Sequence, residues 1–251
     1  MNTKLVQKCE ELLTAYKSGQ LGQTKMPEEM HPLNMNSKER LIYFTLPMAL
    51  NYQRDSYKMW EAAKKTFEDK ETKWVFNLEK VSKETNEKLS KSLLKHKLAL
   101  QPNKHTATWK TICQTINSNF GSIEELINKS HNDFLELKNI VQVKHKKGFP
   151  YLSGPKIFNY WSFIIQEYGG AKLINSNFIE IAPDTHVTQC SIILGVINKN
   201  ETKNLTKEEI SSRWRLALEG SGITPIQMHS PLWFWSRNNF QYKLKKKVNP
   251  K

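Results

Sequence analysis

Apolar residues along this chain recur with the period of a helix, and no stretch shows the sustained alternation, closed by hairpin turns, that strands require. In residues 3–17, Leu5, Val6, Leu12, Leu13 and Tyr16 gather on one side. A polar loop containing Gly and Pro follows at 18–36. Ser37 is placed to cap a helix reaching about Asn51, with Pro47 kinking or splitting it. Asp55 opens the next helix, running to about Lys65. The Lys/Glu-rich segment 72–100 carries Trp74, Phe76, Leu78, Leu89, Leu93 and Leu94 and reads as one or two amphipathic helices. Trp109, Ile112, Cys113 and Ile116 mark another over 106–119. Ser122–Glu125 and Thr206–Glu209 have the form of capping boxes, and the helix begun by the second should stop at Gly220. Further helices are predicted over Phe134–Val143, Gly154–Tyr168 and Asp184–Ile197. The predicted class is all-α, without internal repeats, and the basic tail Lys243–Lys251 is expected to fray.

Charge narrows the partners. The chain has 251 residues, with 38 Lys and Arg against 24 Asp and Glu, a formal net charge of +14. Only Arg40, Arg54, Arg213, Arg215 and Arg237 are arginines, so lysine carries the excess. Such a surplus favours a polyanion, because phosphate contacts release condensed counterions. The alternative is a lysine-rich surface serving solubility. A hydrophobic fraction of 38% is low but enough for a core at this length, and seven Trp and eleven Phe argue against disorder. Cys9, Cys113 and Cys190 are scattered and form no CxxC, which suggests neither a zinc knuckle nor a disulfide framework and excludes a four-cysteine iron–sulfur site within the chain. No metal or cofactor is expected. The N-terminus lacks a secretory apolar region and no run approaches 18 apolar residues, so no membrane is expected. The expected setting is a reducing, DNA-containing compartment: cytoplasm and nucleoid, or a eukaryotic nucleus.

Two short strings carry the chemistry. Phe149-Pro-Tyr-Leu-Ser-Gly-Pro-Lys156 reads as a turn between helices, with Ser153 and Gly154 in the turn and Pro155 in the first helical turn. Backbone N–H groups of such a turn, and the positive end of the helix behind it, suit a phosphate. Lys144, Lys146 and Lys147 would lie beside the same backbone. The plain alternative is an ordinary helix connection. Lys156 falls in the first turn of its helix, where the dipole and any desolvation weaken its charged form and so favour a nucleophilic amine. Its other reading is a phosphate contact. Pro183-Asp-Thr-His-Val187 places Asp184 at a helix start, where it acts as an N-cap in any case and is also placed to stabilise a cationic sugar. His186 either touches phosphate or packs.

These residues resemble the helix-hairpin-helix (HhH-GPD) DNA glycosylase superfamily, whose pattern is Leu-Pro-Gly-x-Gly-x-Lys followed by Val-Asp-x-His-Val. Gly154, Lys156, Asp184, His186 and Val187 match; Leu152 or Ser153 replaces the first hairpin glycine and Pro183 replaces the valine. The 28-residue separation of Lys156 and Asp184 is longer than in most members and is similar to that of archaeal 8-oxoguanine glycosylases. The likeness is specific over 145–197, suggestive over 37–65 and weak elsewhere. It implies two helical lobes with a cleft between them: residues 1–36 as an N-terminal helix and loop, 37–130 as the first lobe, and 131–251 as the hairpin and catalytic lobe. It also implies DNA repair by base excision, with Lys156 as nucleophile and Asp184 as its carboxylate partner, and a monomer acting on double-stranded DNA that contains a damaged base. In Leu46-Pro-Met-Ala-Leu-Asn-Tyr-Gln53, Gln53 would fill the hole left by a flipped nucleotide, and Arg54 would reach the orphaned base or a phosphate. The aromatic heptad Pro231–Arg237 offers Trp233 and Trp235 as walls of a base pocket.

Rival readings remain. One is a glycosylase for a mismatched or alkylated base. Another is a non-catalytic helix-hairpin-helix DNA-binding protein, with Lys156 on phosphate and Asp184 only a cap. A third is a basic helical scaffold for RNA or protein.

Overall fold

The computed structural model describes residues 3–22, 25–52 and 54–245. Its described residues are all-α, with twelve α-helices joined by short 3₁₀ turns and one π-helical stretch. In chain order the helices are α1 (Thr3–Lys17), α2 (Ser37–Ala49), α3 (Ser56–Glu68), α4 (Leu78–Lys83), α5 (Asn86–Lys95), α6 (Pro102–Asn119), α7 (Ile123–Lys129), α8 (Phe134–Asn139), α9 (Pro155–Glu167), α10 (Thr185–Leu194), α11 (Lys207–Leu218) and α12 (His229–Arg237). Extended pairing among the described residues is confined to one isolated bridge, Asp133 with Ile174. Gln53 and the end of the basic tail, residues 246–251, lie outside the described residues.

Many helix starts follow local capping chemistry. Asp55 accepts the Lys58 N–H at 2.9 Å, and Thr206 and Glu209 form a reciprocal box. Ser122 accepts from Glu125 N–H, but the Glu125 side chain takes an N–H of Asn128 instead of closing the box. The cap of α2 is Asn36, one residue before the expected Ser37, because Asn36 and Glu39 satisfy each other's backbone N–H. Pro47 falls in the last turn of α2, so the helix ends soon after it instead of splitting.

Contacts group the chain into two compact units: residues 25–178, and residues 1–24 with 179–251. They divide the chain at positions other than the expected 36/37 and 130/131. Segment 131–178 stays with what precedes it, because α9 packs on α2 and Trp161 hydrogen-bonds Thr45.

In the larger unit, α2 is the central helix. Leu41 to Ala49 are all buried, so it is apolar around its whole circumference and other elements must surround it. Tyr43, Phe44, Trp60, Phe67 and Phe76 interlock in edge-to-face, tilted and stacked pairs around it, at centroid distances of 5.2–6.0 Å. The helix α9 docks here through Trp161, whose indole N–H donates to Thr45 Oγ1 at 2.9 Å in the core. In the smaller unit, α10 packs on α12, and α1 packs on α11 and α12. Its buried polar link runs from Trp214 Nε1 to Ser191 Oγ at 2.8 Å and from that hydroxyl to Val187 O at 2.7 Å.

Candidate active site and nucleic-acid interface

The turn that carries Lys156 is built differently from the expectation. The α-helix of segment 134–143 stops at Asn139, and Ile140–Lys144 continues as a π-helix. A 3₁₀ turn, Lys146–Gly148, follows. The left-handed residue of the connection is Tyr151, with φ of 67°, whereas Gly154 has φ of −63°. A glycine stands at 154 for proximity: an added Cβ would lie 3.1 Å from Tyr151 O. At Gly148 the crowding is greater, with Thr115 side-chain atoms 2.5 Å from where a Cβ would stand.

The amides expected to face a phosphate already have partners. Ser153 N–H donates to Phe149 O and Gly154 N–H to Tyr151 O, both at 2.9 Å. Gln142 Nε2 donates to Ser153 O at 2.9 Å and ties the π-helix to the turn. The contact to DNA expected from the backbone of Ser153 and Gly154 is thus not carried by these two N–H groups, because the tight turn uses them itself.

What the turn offers outward is charge. Between Glu136 and Glu167 the sequence has five lysines and no carboxylate. Lys146, Lys147 and Lys156 are exposed, and Lys144 pairs with Glu136 at 2.7 Å. Lys156 stands in the first turn of α9, behind a glycine cap that has no side chain.

Asp184 is the N-cap of α10 and is half-buried; its Oδ1 accepts Val187 N–H at 2.8 Å. His186 follows in the first turn. Ser236 Oγ gives its proton to Gln189 Oε1 at 2.8 Å, so the 3.0 Å contact to His186 Nδ1 has the histidine as donor. That fixes the imidazole edge-on to Trp233, 5.5 Å between centroids. Lys156 belongs to the larger unit; Asp184, His186, Trp233 and Trp235 belong to the smaller.

Two expectations change. Trp233, Phe234 and Trp235 are all buried, at 7%, 2% and 4% exposure. Trp235 donates to Tyr242 O at 2.9 Å and packs edge-on against Phe240, while Arg237 lies over Trp233 at 4.8 Å. Trp235 is therefore a core residue rather than a base-pocket wall. Arg54 is also committed: Nη1 and Nη2 donate to the carbonyls of Leu98 and Lys97 at 2.6 and 3.0 Å. Burial pushes its pKa down. It braces the loop before α6 instead of reaching for a base, and nothing in the neighbouring sequence announces partners 43 and 44 residues away.

A buried carboxyl also escaped the sequence reading. Glu28 is 2% exposed, accepts from Tyr160 OH at 2.9 Å, and keeps Oε2 without a partner of regular hydrogen-bond geometry. Burial pushes its pKa up to about 7, against the favourable pull of its own backbone N–H, Tyr160 and the nearby Trp60 indole. Tyr160 lies one turn beyond Lys156 on α9. Among the described residues no cluster of His, Cys, Asp and Glu could hold a metal ion, and the three cysteines are free and buried. Among them, too, no helix is long and apolar enough to cross a membrane. Compared with known proteins, the chain matches no protein-family model and no curated protein.

Proposed function

We propose that the chain is a base-excision DNA glycosylase with AP lyase activity, with 8-oxoguanine as its favoured target and Lys156 as its nucleophile. The observation that carries this is the placement of Lys156: an exposed amine in the first turn of α9, at the end of a lysine-rich stretch without carboxylates. In this reading Lys156 Nζ attacks C1′ and the C1′–N bond breaks, with the base leaving as a protonated heterocycle. The amine nitrogen then gives up its protons as the C1′–O4′ bond opens, leaving an imine. Loss of a C2′ proton expels the 3′ phosphate. Asp184 stabilises the cationic sugar. Lys146 and Lys147 contact the backbone.

Borohydride trapping on a duplex with one 8-oxoguanine tests this. The expected result is a covalent protein–DNA adduct that Lys156→Gln abolishes while DNA binding persists. Undiminished trapping in that variant assigns the nucleophile to another amine. Excision with no trapping makes the enzyme monofunctional, and excision from another lesion instead moves the target to a mismatched or alkylated base. The second reading, a non-catalytic DNA-binding protein, is favoured by one observation: capping alone accounts for the placement of Asp184. Absence of excision on every lesion tried would establish it.

A further inference from the structure

Tyr52 and Tyr151 meet edge-to-face in the larger unit, 5.2 Å between ring centroids, and both are half-exposed. Exposed Lys104 lies over both rings, with Nζ 4.9 Å from one and 5.1 Å from the other. Tyr151 holds this position with φ of 67°, a conformation that a bulky aromatic residue rarely adopts. A second cation, Arg54, stands close enough to the lysine that both act on His105. His105, the neighbour of Lys104 on α6, is 2% exposed, accepts Leu100 N–H through Nδ1 at 3.1 Å, and leaves Nε2 without a partner. Burial lowers its pKa, and Arg54 and Lys104 lower it further, so three basic groups share one neighbourhood. Asp55, which acts on Arg54 in the opposite sense, is used as the cap of α3.

Two aromatic faces covered by an exposed lysine, with the Arg54 guanidinium nearby, complement an aromatic anion. We infer that Tyr52, Tyr151 and Lys104 form a nucleotide contact: an unstacked DNA base lies on the tyrosine rings, and Lys104 turns from the rings to the adjoining phosphate. This rests on the proposed reading of DNA as the partner and adds a second contact, separate from Lys156. Stacking accepts any base, so the contact recognises an unstacked nucleotide without reading its sequence.

The test uses the full chain with undamaged, fluorescein-labelled DNA: a single strand, an intact duplex and a duplex with a one-nucleotide bulge. Tyr151→Gly is the informative variant, because glycine accepts a φ of 67° and the melting temperature should hold or rise. It should weaken binding of the single strand and the bulged duplex by about 5- to 150-fold, the range expected for one lost stacking partner, and change the intact duplex far less. Tyr52→Leu should act in the same direction. Lys104→Gln should weaken all three and reduce the slope of log affinity against log salt by roughly one. Wild-type affinities in Tyr151→Gly and Lys104→Gln at unchanged melting temperature would overturn the inference, as would wild-type protein that binds none of the three. Lesion trapping is read separately. Loss of trapping specificity at Lys156 with weakened binding in Tyr151→Gly removes the glycosylase reading and keeps the nucleotide contact; the opposite pair of results does the reverse.

Discussion

The first turn of α9 holds a cation, Lys156, behind a glycine cap, whereas the first turn of α10 is held by a carboxylate, Asp184, that accepts the Val187 N–H. A helix N-terminus favours the second arrangement and disfavours the first, since its exposed N–H groups and dipole attract negative charge. The dipole therefore favours the Asp184 carboxylate and opposes the Lys156 charge, while a capping role by itself accounts for the placement of Asp184. The supports behind the two helices differ as well. α9 rests on Trp161 with Thr45 and on Tyr160 with the buried Glu28. α10 rests on the Trp214–Ser191 link and on Cys190, whose thiol donates to Leu232 O.

The sharpest break in this comparison is catalytic. Lys156→Gln should remove excision by orders of magnitude while leaving the melting temperature unchanged or slightly higher, measured by strand nicking and by thermal unfolding. A variant that unfolds instead would make Lys156 structural.

Next in size is the pH response of the α9 support. The Glu28 pKa is raised from 4.5 to about 7 on folding, so the folded chain holds this proton more tightly than the unfolded one. The contribution is fully present below about 4.5 and is lost as pH rises through about 7. Glu28→Gln keeps an acceptor for Tyr160 and carries no charge. It should be more stable than wild type above pH 8, by up to about 3 kcal/mol, and nearly equal to it at pH 4.5. Denaturant unfolding at the two pH values reads the difference; an equal effect at both would remove the titration argument. In the α10 support burial pushes the Cys190 thiol up to about 12, well above this range, so Trp214→Phe should cost about 2 kcal/mol by leaving Ser191 Oγ without its donor, with little pH dependence between about pH 4.5 and 8.

Smallest is the cap itself. Asp184→Ala should cost about 1 kcal/mol of stability, and Asp184→Asn only a few tenths, because Asn also caps. If Asp184→Asn nevertheless slows excision by orders of magnitude, the carboxylate has a role beyond its cap.

Much of the helical framework was legible in the sequence. The caps at Asp55, Asp184 and Thr206 lie within three residues of the N–H groups they serve, and Gly220 stands just past α11 with φ of 74°. The site was legible only in part. The string around Lys156 announced a turn and a helix start, but not which residue takes the left-handed conformation. At 154 an added Cβ would sit tight against a carbonyl three residues back, and the left-handed conformation falls on Tyr151.

The sequence by itself determined the all-α class, the capped helix starts and the positions of Lys156 and Asp184 in first turns, because periodicity and capping act over a few residues. Only the tertiary structure decided that Arg54 braces the Lys97–Leu98 carbonyls, that Trp235 belongs to the core, that Glu28 is buried against Tyr160, and that Tyr52, Tyr151 and Lys104 meet. Each of those depends on partners tens of residues away, brought together by burial of the apolar faces, and no local pattern encodes which distant carbonyl or ring a side chain will meet.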